Sequence, residues 1–289
     1  MDVVINFNKP TDISSQQAVI KAKKLFAVRK AGHAGTLDPI ATGVLIICLN
    51  QATKITRFLS DLDKEYMVKL KLGERTDTCD LTGRLLEKRD CLSLKERDIH
   101  RVLENFIGQI KQIPPMYSAI KVKGQPLYKL ARKGIEVGRP ERVIHIYEIE
   151  LIRFDQPYLD LKISCSKGTY IRTLCDDIGK AIEVGAHMIS LERTKVGNFR
   201  IEDSASIEDL RRGRGTMHSV DSALSHLDEI ILDEESYHKA KNGMPVITIT
   251  ANVPIKQIKQ YVRLKSPENN LFAIGRVEQN RITMERLFK

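Results

Sequence analysis

The chain has 289 residues, 42% hydrophobic and 29% charged, enough for a large domain with a proper core and a smaller one beside it. Forty-seven Lys and Arg against 37 Asp and Glu leave a formal charge of +10, which suits a polyanionic partner: RNA, DNA or an acidic membrane surface. The five scattered cysteines form no Cys-x-x-Cys and have no His at ligand spacing, which argues against a zinc site and for reduced thiols. With no signal-like N-terminus and no apolar run of membrane-spanning length, a soluble cytoplasmic protein is expected.

Residues 3–7 read as a short apolar strand that stops at Lys9-Pro10. Ser14 or Ser15 can cap a helix over about 15–28, with Ala18, Val19, Ala22, Leu25 and Phe26 on one face. Its basic face, Lys21, Lys23, Lys24, Arg29 and Lys30, is either solvated or turned toward RNA. Then comes Ala31-Gly-His-Ala-Gly-Thr-Leu-Asp-Pro-Ile-Ala-Thr-Gly43, a Gly-rich loop holding the carboxylate Asp38. Pro39 biases Asp38 toward an extended conformation, and Val44–Leu49 behind it reads as a fully buried strand. A carboxylate on a stiff turn beside a core strand suits a nucleophile or a base, but Asp before Pro is also an ordinary turn signal. The loop has neither the Walker nor the Gly-x-Gly-x-x-Gly pattern.

Further along, Tyr66–Leu72 alternates as a half-buried strand. Ser93 followed by Glu96 is a capping-box pattern predicting a helix over about 94–107. Segment 114–142 interleaves Lys121, Lys123, Lys129, Arg132, Lys133, Arg139 and Arg142 with Tyr117 and Tyr128, a mixture suited to phosphate contacts and base stacking, or to an ordinary exposed hairpin. Strands over about 143–153 and 158–165 lead through Ser166-Lys-Gly-Thr-Tyr170-Ile-Arg172 into a helix over about 171–183. Arg211–Gly215 reads as a loop, and a boundary falls near 225–232. Beyond it, short strands punctuated by Gly243, Pro245, Pro254, Pro267 and Gly275 suggest a β-rich module.

Gly32–Gly43 resembles the catalytic motif of the bacterial tRNA pseudouridine-55 synthase (TruB) family, and further motifs follow in that family's order. They are Lys9-Pro10 with Ser14-Ser15, Lys64-Glu-Tyr66, Ile113–Gly124, Lys167–Thr173, and Gly185-Ala-His with Leu191, Arg193-Thr and Val196-Gly197. The resemblance is dense over about 1–200 and looser beyond. It implies an α+β pseudouridine-synthase fold, a mixed and mostly antiparallel sheet flanked by helices, over 1–228 with 114–142 as an RNA-binding insertion. A small PUA-like RNA-binding domain is implied over 229–289. The implied reaction isomerises uridine 55 in the T loop of tRNA: C1′–N1 breaks, the base turns, and C5 joins C1′. No cofactor or metal, no membrane and no DNA are implied, and a monomer is expected.

By position in these motifs, Asp38 matches the catalytic aspartate, either a nucleophile or a partner in elimination to a glycal, with the nucleophile carried forward here. Arg172 matches the arginine that pairs with it; an adjacent guanidinium is expected to lower the carboxyl pKa and orient it through a forked hydrogen bond. Tyr66 matches the tyrosine that stacks on the uracil and is expected to assist proton transfer, so it counts as catalytic beside Asp38 and Arg172. Tyr170 and Leu191 match pocket walls, His33 a residue holding the opened RNA, and Lys9-Pro10 a support for the loop. Such a uridine must leave its stack, at a cost of a few kcal/mol that stacking and phosphate contacts offset. The insertion is expected to close over RNA and to move without it. Two positions depart from the pattern: Asp12 stands where Gly is usual, and Glu192 where a basic residue is common. A non-catalytic RNA-binding protein, such as a tRNA chaperone, fits the charge equally well but does not require Asp38, Arg172 and Tyr66 together.

Overall fold

The computed structural model describes residues 1–91, 93–118, 120–122, 124–131, 133–247, 260–278 and 281–288. Ten strands form one mixed sheet. Its main path runs Met217–Ser219, Val3–Lys9, Thr42–Leu49, Ala186–Val196, Lys64–Leu72, Tyr158–Cys165, Arg142–Asp155 and Gly108–Gln112. Ala31–Ala34 pairs with Thr42–Leu49, and Phe199–Arg200 with Ala186–Val196. All these pairings are antiparallel except the short parallel one that sets Glu192 and Arg193 beside Thr42 and Gly43.

The unbroken apolar run of Thr42–Leu49 has a direct cause: the strand is buried on both faces. Leu45, Ile47 and Leu49 join the larger core with Ile5, Phe7, Val68, Leu70 and Leu161, under helices α1 (Ser15–Leu25), α3 (Glu96–Glu104) and α5 (Ile171–Ala181). Val44, Ile46 and Cys48 point the other way, into a second core with Ile55, Phe58, Leu59, Val196 and Ile274. By contrast Lys64–Leu72 is strictly alternating, and only its even-numbered residues are buried.

Helix α1 starts as read, with the Ser14 hydroxyl accepting from the Gln17 N–H and Gln17 returning the bond to the Ser14 N–H. The capping box read at Ser93 and Glu96 does not form. The helix begins two residues later, with Lys95 at its cap and no side-chain cap, while Glu96 and Asp98 supply acidic charge in its first turn. Segment 114–142 holds a two-stranded ladder, Lys121–Val122 with Gln125–Pro126, then helix α4 (Leu127–Ala131). Of its basic residues, Lys123, Arg132 and the Lys121 side chain lie outside the described residues, as does Pro254 in the C-terminal module.

A second, five-stranded sheet runs Asp228–Ile231, Tyr261–Lys265, Leu271–Glu278, Arg281–Leu287 and Val246–Ile247 in spatial order. The reading of this module as short strands alone missed a helix, Glu234–Lys241, whose N-cap Asp233 accepts from the Ser236 N–H at 2.7 Å. The sheet has its own core (Ile230, Val262, Leu264, Phe272, Ile282) and also contributes Ile274 to the core behind Thr42–Leu49. At this junction Tyr261 meets Phe58 edge-on at 5.1 Å, with the Arg57 guanidinium over both rings and 3.0 Å from Glu285.

Ile47 is fully buried, whereas Val143 is 66% exposed. Ile47→Ala is expected to cost about 2–5 kcal/mol in urea unfolding, and Val143→Ala to stay within about 0.5 kcal/mol of wild type. Equal effects of the two substitutions would contradict this account of the core.

Candidate active site

Asp38 lies between Ala31–Ala34 and Thr42–Leu49, on a loop fastened to its surroundings at three points. The buried Ser15 hydroxyl accepts from the Leu37 N–H at 2.8 Å and donates to the Leu37 carbonyl at 2.9 Å. The Pro39 carbonyl accepts from the Asp12 N–H at 2.9 Å and from the Lys9 ammonium at 3.3 Å. The Gly35 carbonyl accepts from Arg193 Nη2 at 3.0 Å, while Arg193 Nε donates to Val44 O at 2.7 Å. Gly43 permits the close approach behind the loop: it sits at φ +94, and a Cβ there would lie 2.3 Å from the Arg193 carbonyl oxygen. Lys9 is fully buried, donates also to the carbonyls of Pro10 and Ile13 at 2.8 Å, and burial lowers its pKa to about 8.

Onto this fixed loop α5 brings Arg172, buried and in its first turn. Arg172 Nη2 donates to Asp38 Oδ1 at 3.3 Å, and Nε lies 2.7 Å from Asp38 Oδ2 as a close ion-pair contact without hydrogen-bond geometry. The pair is therefore one hydrogen bond and one charge contact, and not the double fork expected. The same guanidinium reaches a second carboxylate: Nη1 is 3.3 Å from Asp80 Oδ2 and donates to the Thr78 carbonyl at 3.3 Å. Nη2 also donates to the Tyr117 carbonyl at 2.8 Å. Asp80 is itself immobilised, its Oδ1 accepting from the Thr78 hydroxyl (2.7 Å), the Thr82 hydroxyl (2.6 Å) and the Thr82 N–H (3.0 Å).

One buried cation shared between the buried Asp80 and the partly open Asp38 changes the expected electrostatics. Arg172 lowers the Asp38 pKa as expected, but the net shift is upward. Loss of hydration around the carboxylate raises it most; Arg172 pulls it down and Asp80 pushes it back up, leaving it above the usual value. The Asp38 side chain keeps 35% of its surface exposed, so the carboxylate is held from behind and open in front.

Tyr66 is buried on Lys64–Leu72, paired in the sheet with Ile163 on one side and Arg193 on the other. Burial raises its pKa, Arg193 opposes this, and the charge of Asp38 adds to it. Tyr170, immediately before α5, is half-buried and feels the charges of Arg142, Asp38 and Arg172. The structure therefore brings Asp38, Arg172, Tyr66 and Tyr170 into one electrostatic environment. His33 and Leu191 stand to its side. His33 is paired with Ile47, its Nδ1 buried with no hydrogen-bond partner among the described residues, and burial beside Arg193 lowers its pKa. Leu191 is buried, its carbonyl 3.5 Å from the Thr42 hydroxyl. A cleft of about 320 Å³ nearby is lined by Ser60, Asp61, Arg142, Val143, Ile144, Lys167 and Gly168, with Lys167 2.8 Å from Asp61. Among the described residues, no cluster of His, Cys, Asp and Glu could hold a metal ion, and no helix is long and apolar enough to cross a membrane.

Comparison with known proteins bears on this geometry. Residues 23–171 match the sequence model of the TruB family pseudouridylate synthase N-terminal domain, and residues 172–237 that of the tRNA pseudouridylate synthase B C-terminal domain. The chain belongs to the TruB family. It is 49% identical to the tRNA pseudouridine synthase B of Clostridium tetani, covering 85% of this chain and 86% of that one. It is 40% identical to that of Pelotomaculum thermopropionicum, covering 100% and 95%. Among solved structures it superposes on a crystal structure of a Cbf5–Nop10–Gar1 complex with a TM-score of 0.78 and 26% identity, over 99% of this chain and 85% of that one.

Within this TruB-family chain the unusual Asp12 has a clear place. It adopts φ +65, in the left-handed region where Gly is at ease and Asp is among the tolerated residues, so its N–H still reaches Pro39. Glu192 is exposed. Sequence reading missed Asp80. Its available signal was Thr78-Cys-Asp80-Leu-Thr82-Gly83, an aspartate flanked by hydroxyls two residues away on each side and followed by a turn glycine.

The Asp38 side-chain carboxyl is expected to titrate above an ordinary aspartate in ¹³C NMR. In Asp80→Asn, which removes the neighbouring anion and leaves Arg172 to Asp38, the midpoint is expected to move down. An unchanged midpoint would show that Asp80 does not act on Asp38.

Proposed function

We propose that this chain isomerises uridine to pseudouridine at position 55 in the T loop of tRNA, with Asp38 as the nucleophile. Conversion of uridine to pseudouridine in tRNA is the activity that its relatives' names carry and that its family membership supports. The observation that supports the catalytic assignment most is the close Asp38–Arg172 ion pair, with one hydrogen bond, on a loop fastened through Leu37, Pro39 and Gly35.

The chemistry follows from this environment. A carboxylate with poor hydration and a raised pKa is a better nucleophile and base than one in water, and the contacts of both its oxygens with Arg172 limit the direction in which its free face points. On this reading Asp38 attacks the ribose or the base of the flipped uridine. The C1′–N1 bond breaks, the uracil turns against Tyr66, and C5 bonds to C1′ as the bond to Asp38 is released and its carboxylate regenerated, while the C5 proton is lost to solvent and N1 gains one. Atoms and electrons balance without an oxidant or a group donor. Tyr170 and Leu191 serve as pocket walls, and the partly exposed His33 as a contact to the opened loop. Arg142 and Lys167 in the adjacent cleft suit the phosphates on either side of the flipped nucleotide. We assign residues 1–228 to the catalytic domain, with 114–142 as its RNA-binding insertion, and 229–289 to a PUA-like RNA-binding domain, the whole acting as a monomer.

The test is tritium release from a T-arm stem-loop carrying [5-³H]uridine, since forming the C5–C1′ bond expels the label. Wild-type protein is expected to release it and Asp38→Asn to release none while still binding the RNA. Moving the label away from the T-loop uridine is expected to abolish release. Tight binding without release by wild type, on full-length tRNA as well, would favour the chaperone reading.

A further inference from the structure

The segment 113–141 leaves the sheet at Gln112, the last residue of Gly108–Gln112, and returns at Arg142, the first of Arg142–Asp155; these two residues are paired across the ladder. Gln112 is therefore the neck of the basic insertion. It is 3% exposed, an unusual place for an amide side chain unless its polar atoms are matched. They are matched by one residue: Gln112 Oε1 accepts the Tyr170 N–H at 2.8 Å, and Gln112 Nε2 donates to the Tyr170 carbonyl at 3.1 Å. The orientation is fixed by chemistry, because a flipped amide would set N–H against N–H and oxygen against oxygen.

Tyr170 is the N-cap residue of α5 and has no side-chain cap of its own. Its carbonyl also accepts the first helical bond, from the Leu174 N–H at 3.0 Å. The two-point grip of Gln112 thus sets the peptide from which the first turn of α5 departs, and Arg172 lies in that turn. Five residues beyond Gln112 the same stretch places the Tyr117 carbonyl 2.8 Å from Arg172 Nη2.

We propose that Gln112 is a positioning residue for the isomerisation: by clamping the Tyr170 backbone it aims Arg172 at Asp38 and couples that aim to the neck of the insertion. The inference rests on the functional reading above and adds to it a residue that touches neither substrate nor Asp38. It also gives a physical route by which a change in the path of 113–141 reaches the reacting carboxylate.

The experiment compares single-turnover tritium release by wild type, Gln112→Met and Gln112→Glu on saturating T-arm stem-loop from acid to neutral pH, with RNA affinity and thermal melts measured alongside. Methionine keeps the length but can neither donate nor accept as the amide does. Its rate is expected to fall about tenfold to a hundredfold, with affinity changed less than about threefold, at a ratio to wild type independent of pH. A neutral glutamic acid reproduces the amide's donor and acceptor, whereas its anion sets an oxygen against the Tyr170 carbonyl. The ratio of Gln112→Glu to wild type is therefore expected to climb as pH falls. That signature also decides the matter if Gln112→Met fails to fold. A wild-type rate in Gln112→Met, a slowing matched by an equal loss of affinity, or a pH-independent ratio for Gln112→Glu overturns the assignment. No release from wild type overturns the functional reading itself, and the two failures are told apart by the wild-type reaction alone.

Discussion

One guanidinium serves two carboxylates, and the candidate site depends on that sharing. Arg172 is buried between Asp38 and Asp80, and its remaining N–H directions are taken by the carbonyls of Thr78 and Tyr117. A private ion pair would hold Asp38 as a quiet, well-stabilised anion. Division of the charge leaves Asp38 oriented but incompletely neutralised, which is the state wanted of a group that must react. The same sharing draws four separate stretches, the 35–41 loop, the 76–83 turn, the base of the insertion and α5, onto one side chain.

The scaffold behind this pair is arranged so that little can yield. Thr42–Leu49 has packed side chains on both faces, and the parallel contact at Gly43 brings the Arg193 backbone against it more closely than any Cβ allows. Arg193 then spends its guanidinium on the carbonyls of Val44 and Gly35, at the two ends of the loop that carries Asp38. The loop is thus braced at its backbone carbonyls by side chains, that of Arg193 coming from far away in sequence.

What could be read in advance divides along the same line. The Thr42–Leu49 strand, the α1 cap at Ser14, the α5 helix and the mixed sheet declare themselves through local signals: apolar runs, a hydroxyl before a helix, a resemblance carried by contiguous motifs. Asp38, Arg172 and Tyr66 were legible as candidates because their motifs are local too. Asp80, Gln112 and the work done by Arg193 were not, because each matters only through a partner brought near by tertiary packing. The net direction of the Asp38 pKa was hidden for the same reason: Arg172 lowers it as its motif implies, but neither the lost hydration nor the nearness of Asp80 to that guanidinium is written in the chain. Ser93 failed as a cap because a local preference for helix starts is weak enough for the chain to begin the helix at Glu96 instead.

The placement of Ile274 has its own thermodynamic meaning. This residue belongs by sequence to the small C-terminal sheet, yet it lies fully buried in one core with Val4, Val44 and Ile46 of the large one and Phe58 of the helix Thr56–Ser60. Detaching the module therefore opens a hole in the layer that backs the Asp38 strand. A shared core of this kind ties the unfolding of the C-terminal strands to that of the large sheet, so that the two are expected to melt as one cooperative unit.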